Sequence, residues 1–104
     1  MTKADILTLL ESDLGYVFPA EPSSSQQRKI NFLNQEIDAA IAFIDAEGIT
    51  LPETAFTAED AQLIVMYAAY LDRKRAVNEP MPRMLRWALN NRLFSEKART
   101  ANAT

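Results

Sequence analysis

A chain of 104 residues and 11.7 kDa has room for one domain with one small core. It contains no histidine and no cysteine, which removes the commonest general base, the thiol nucleophile, the disulfide and the usual zinc ligands. Its net charge of −3 conceals an asymmetry: residues 1–60 hold three basic side chains against eleven acidic ones, and residues 61–104 hold eight against three.

Four helices and no strand are expected. The first runs from about Lys3 to Leu14, with Thr2 as N-cap and Asp5 three residues on in the capping-box position. Ile6, Leu7, Leu10 and Leu14 make its apolar stripe, and Gly15 supplies a left-handed stop. Residues 16–24 contain Pro19, Pro22 and two of three consecutive serines, the marks of a loop, with Tyr16, Val17 and Phe18 expected to pin it to the core. The second and longest helix spans about Ser25 to Glu47. Ile30, Leu33, Ile37, Ile41 and Ile44 line one side, Ala39, Ala40 and Ala42 allow close approach, and Gly48 ends it. Its carboxylates Glu36, Asp38, Asp45 and Glu47 are expected on a solvated face.

The link from Ile49 to Phe56 carries Leu51-Pro52 and is expected to be extended, because proline pushes its predecessor out of the helical region. Thr57 caps the third helix, with Glu59 and Asp60 in its first turn, Asp60 in the box position. That helix is apolar almost all round through Leu63, Ile64, Tyr67, Tyr70 and Leu71, and ends in Arg73, Lys74 and Arg75, where cations complement the helix dipole. Asn78-Glu79-Pro80 makes a turn. Pro82 then starts a fourth helix that continues through Leu85, Ala88 and Leu89 to about Phe94. Its spacing puts Arg83, Trp87, Asn90 and Phe94 on one face and Leu85, Ala88, Leu89 and Arg92 toward another, one for the core and one for an interface. Leu85 and Leu89 are the better core candidates. Residues 1–97 then form one helical domain, and residues 98–104 a flexible C-terminal tail.

Catalysis has little to work with. Apart from the absent histidine and cysteine, the chain has only two glycines, Gly15 and Gly48, so no phosphate-cradling loop exists. No enzyme activity, cofactor or metal is expected. Apolar runs fall well short of the roughly 20 residues of a membrane span, and the first residues lack a basic-then-apolar leader layout. A soluble protein made in the cytoplasm is the expectation. The basic residues of helices three and four, interleaved with Tyr70 and Trp87, have the composition that grips nucleic acid. Against that stand a sequence pI near 4.9 and a two-proline turn without glycine. A small helical DNA-binding regulator is therefore the alternative reading, and weak, sequence-insensitive DNA contact the expectation. The charge asymmetry likewise allows two outcomes: a bipolar subunit that meets its own copies head to tail, or charges that cancel within one folded domain.

The run Tyr67-Ala68-Ala69-Tyr70-Leu71-Asp72-Arg73-Lys74-Arg75, followed by Asn78 to Phe94 with its two prolines, resembles the small helical head-tail connector (adaptor, or head-completion) proteins of tailed bacteriophages. The likeness is best from Leu63 to Lys97 and looser from Thr2 to Gly48. It implies an all-α virion protein at the neck, forming a dodecameric ring under the portal, extending the DNA channel and docking the next neck or tail-completion protein. Non-specific contact with packaged DNA would follow from that position. Carried over to this chain, it implies Ser95 to Thr104 as the portal-contacting tail and places Tyr67, Tyr70 and the Arg73, Lys74 and Arg75 cluster in the helix leading toward subunit contacts. Together with the residue pattern of the fourth helix, the expected subunit or portal interface is Tyr67, Tyr70, Arg73, Lys74, Arg75, Arg83, Arg86, Trp87, Asn90, Phe94, Lys97 and Arg99.

Overall fold

The computed structural model describes residues 1–53, 55–76 and 80–103, with residues 75, 76 and 99–103 described as backbone only. Four helices follow one another: α1 (Lys3–Leu14), α2 (Ser24–Ala46), α3 (Ala58–Ala76) and α4 (Arg83–Ala103). No strand occurs among the described residues.

Local chemistry accounts for the ends. Thr2 and Asp5 form a reciprocal capping box on α1, and Gly15 closes it at φ 81°. A second box, Ser23 with Gln26, starts α2 one residue earlier than the apolar stripe suggests. The sequence carries that signal in Ser-x-x-Gln, but the three consecutive serines hide which one caps. At the other end, Glu47 is the C-cap and Gly48 turns the chain at φ 97°. A Cβ built on Gly48 would stand 3.4 Å from Leu93 Cδ1, close contact with a side-chain tip, so it is chiefly the positive φ that resists a side chain there. Gly48→Ala is expected to destabilise the fold by about 1 kcal/mol, read as an earlier midpoint in urea unfolding.

Helix α3 is the hub. Ala61, Ile64, Ala68 and Ala69 are essentially inaccessible, and Leu63, Val65, Tyr67 and Tyr70 are nearly so. It packs against α1, α2 and α4 in turn, which is why its sequence is apolar on almost every side. Around it, α1 contributes Ile6 and Leu10, α2 contributes Leu33, Ile37, Ala40 and Ile44, and α4 contributes Leu85 and Leu89. The link between α2 and α3 is tied down at both ends by buried Ile49 and Phe56. Phe56 also exchanges two hydrogen bonds with Met1: its N–H donates to the Met1 carbonyl oxygen at 2.7 Å, and the Met1 amino group donates to the Phe56 carbonyl oxygen at 2.8 Å.

Three local expectations are corrected, and one further residue gains a role. Val17 is 92% exposed and Tyr16 is exposed; only Phe18 packs on the core. Extended chain sends alternate side chains to opposite sides, so Tyr16 and Phe18 stack on each other (centroids 5.6 Å apart) while Val17 points away. Glu36 is buried, not on a solvated face, because it sits one helical turn from both Leu33 and Ala40 and α3 covers that flank. Asp60 has a task beyond its capping position, where its N–H donates to the Thr57 hydroxyl oxygen at 3.1 Å: its carboxylate accepts from Arg92. Finally, α4 does not stop near Phe94. Alanines and the absence of glycine or proline carry the helical backbone through to Ala103. Within the expected tail, residues 98–104, the backbone is helical as far as Ala103; residue 104, and Asn78 and Glu79 of the expected Asn78-Glu79-Pro80 turn, lie outside the described residues.

Candidate functional site

Helix α4 is apolar on two opposite sides. Its inner side places Leu85 and Leu89 in the core, with Leu93 against Gly48. Its outer side exposes Met84, Trp87 and Phe94, the last two at 65% and 77%. Arg83 and Asn90 are exposed on that outer side too. The division expected from spacing is thus present, with Arg83, Trp87, Asn90 and Phe94 outward and Leu85 and Leu89 inward.

Two arginines hold the inner side in place. Arg86 donates to both carboxylate oxygens of Glu47 at the end of α2, at 3.1 and 2.8 Å, and its Nε donates to Asn90. Arg92 donates through Nε to Asp60 at 2.8 Å, through a second nitrogen to Glu96 at 2.8 Å, and through the third to the Thr50 carbonyl oxygen at 3.2 Å. One guanidinium thereby ties α4 to α3 and to the link that follows α2. These hydrogen bonds raise the pKa of both arginines, that of Arg86 through Glu47 and that of Arg92 chiefly through Asp60. Neither arginine is a free interface cation.

The same geometry has a pH consequence. Hydrogen bonding to Arg86 holds the Glu47 carboxyl below its ordinary value of 4.5. A carboxyl whose folded pKa is depressed stabilises the fold above its unfolded pKa, and loses that contribution as pH falls through the folded value. Glu47→Gln is therefore expected to lower stability near neutral pH by about 1 kcal/mol or less, since both partners are partly exposed. The gap from wild type should shrink as urea melts are moved from about pH 6 to about pH 3.

The remaining sequence-derived interface residues fall in different places. Tyr67 and Tyr70 are core residues in edge-to-face contact (centroids 6.1 Å), and Phe43 stacks on Tyr67. Burial pushes the Tyr67 phenol up in pKa. Both are spent inside the monomer, because the hub position of α3 leaves it little free face. Arg73 is exposed and 3.6 Å from Asp13 of α1, and Lys74 lies over the Tyr70 ring at 5.8 Å. Lys97 is exposed. The side chains of Arg75 and Arg99 lie outside the described residues. Among the described residues, no ion pair engages Lys74, Arg83 or Lys97. Much of the charge asymmetry thus closes within the subunit, through Arg73–Asp13, Arg86–Glu47 and Arg92–Asp60.

Beside the outer side of α4 lies a groove of ≈ 1260 Å³ between α4, the start of α3 and the Thr50–Pro52 stretch. Leu51, Pro52, Leu63, Met66, Trp87 and Ala88 give it apolar walls, and Glu59 stands in its lining. Sequence reasoning singled out Trp87 but not the groove, because Leu51 and Leu63 reach it only through the fold. No group of three or more potential metal ligands occurs among the described residues, and none of the described helices is long and apolar enough to cross a membrane. The outer surface thus combines an apolar groove, exposed aromatics, and cations outside the described ion pairs. Comparison with family models, curated proteins and solved structures finds no match for this chain.

Proposed function

We propose that this chain is a structural component of a tailed-phage neck, a ring-forming connector that sits under the portal and joins head to tail. The single observation that supports this reading is the two-sided apolar character of α4. One side completes the monomer core, and the other leaves Trp87 and Phe94 uncovered next to an open apolar groove. Exposed patches of that kind mark protein interfaces, and tryptophan is among the residues that dominate them. The resemblance of the Leu63–Lys97 stretch to head-tail connectors supplies the kind of assembly. Binding partners on this reading are further copies of the chain, the portal and the next neck or tail-completion protein, with no cofactor and no catalysis.

Charge is consistent with a channel component. Each copy carries −3, so a ring of copies is net acidic and repels DNA phosphates, which favours passage over gripping. The regulator alternative is less well served, because Arg86 and Arg92 are committed to carboxylates of their own subunit and cannot meet phosphate without breaking those pairs.

The test is negative-stain microscopy of the purified chain mixed with the portal protein of its phage. Rings seated on the portal are expected. A chain that stays monomeric and ignores the portal overturns the reading. DNA affinity is expected to be weak and to fall steeply with salt; a sequence-selective complex that survives physiological salt would instead support the regulator.

A further inference from the structure

We infer that the distal end of α4 of one copy lies in the apolar groove of the next, so that the subunits meet head to tail. This rests on the ring reading above and names the contact that would build it. The groove walls given by α3 and the Thr50–Pro52 stretch (Leu51, Glu59, Gln62 and Leu63) are a different surface from Phe94, Lys97 and Ala98, although Asn91, Arg92 and Ser95 of α4 complete the groove. A contact between those two surfaces is heterologous, the kind that can close into rings.

Three observations select this occupant. Beyond Leu93 no described α4 residue belongs to the core, while the helical backbone continues for ten more residues to Ala103. The molecule measures 52 × 30 × 18 Å, and the helix end presents Phe94 and Ala98 one turn apart at exposed positions. A helix end that offers an exposed aromatic is what an apolar groove can receive. Charge is complementary as well. Glu59 in the groove and Glu53 beside it are exposed and outside every ion pair shown by the described residues, whereas the helix end carries exposed Lys97. The one carboxylate of the described helix end, Glu96, is turned back onto Arg92 of its own subunit, which leaves the incoming end cationic. Trp87, uncovered in the single subunit, becomes the wall against which the neighbour's Phe94 packs.

The chain has no cysteine, so single substitutions report contacts cleanly. Ala98→Cys and Gln62→Cys are both at exposed positions, and Gln62 lines the groove. Each protein carries only one of the two substitutions. Mixing them at high concentration with a short bis-maleimide therefore confines any product joining positions 98 and 62 to pairs of copies. That mixed product is expected. Its yield should fall about tenfold with Phe94→Asp, the loss of one hot-spot contact. Lys97→Glu alone should also lower it, and adding Glu59→Lys on the partner should restore it. A product linking Ala98→Cys only to itself means a two-fold contact and overturns the inference. A product linking Ala98→Cys to the portal assigns the helix end there and likewise overturns it. Rings on the portal with no mixed product overturn the inference while leaving the connector reading standing. The mixed product without any ring on the portal supports the contact and removes the connector reading.

Discussion

Arg92→Met is expected to destabilise the protein by about 3 kcal/mol, the usual cost of removing one partner from a buried ion pair. The side chains of Arg92 and Asp60 are 12% and 6% exposed. Without the guanidinium, the Asp60 carboxylate keeps its burial and loses its strongest partner, while Glu96 and the Thr50 carbonyl oxygen lose the hydrogen bonds that Arg92 gives them. The pair joins α4 to the start of α3, so the loss should appear first in α4. Amide exchange around Ala88 and Leu89 is expected to accelerate more than exchange in α1. Urea unfolding measures the total. Adding Asp60→Asn should recover about half, because the uncompensated charge then disappears. A cost below about 1 kcal/mol would place the pair with ordinary surface salt bridges and end its role as the clamp on α4.

Trp87→Ala combined with Phe94→Ala should have the opposite profile. Both side chains are mostly solvent-exposed, so the monomer's helicity is expected to be unchanged and its stability to move by about 0.5 kcal/mol or less. Assembly should suffer heavily. Truncating one aromatic hot spot costs about 2 kcal/mol or more, and in a ring the deficit recurs at each contact between copies. Light scattering and microscopy at matched concentration, with portal present, are expected to show monomers of the doubly substituted chain and, on the connector reading, rings of the unsubstituted one. Rings at equal yield would make the outer side of α4 an incidental exposed patch. Loss of helicity would make it part of the monomer's own packing.

The two substitutions separate what holds α4 on the subunit from what α4 offers outward. The inner side combines apolar contact with two guanidinium clamps to partners 39 and 32 residues away in sequence. The outer side combines aromatics with cations that no described carboxylate engages. Basic residues that look alike in sequence thus divide by role: Arg86 and Arg92 tie elements together, and Arg83 and Lys97 face solvent.

The four helices, their order and much of their apolar faces were legible in the sequence, because capping chemistry and 3.6-residue periodicity are local properties. So was the separation of Leu85 and Leu89 from Trp87 and Phe94, since the sides of one helix follow from spacing alone. The rest waited on how the helices pack. The tyrosines of α3 are core because three helices surround that hub, and a run that is apolar nearly all round does not say which neighbours will cover it. Glu36 lies one turn from Leu33 and Ala40, but its charge marks it for solvent, and only the packing of α3 on that flank buries it. Asp60 gains a second role beyond capping because Arg92, 32 residues away, reaches its carboxylate. The groove beside Trp87 exists only where α3, α4 and the Thr50–Pro52 stretch converge. Long-range ion pairs and concave surfaces depend on the relative placement of elements, and the local pattern of any one segment does not encode that placement.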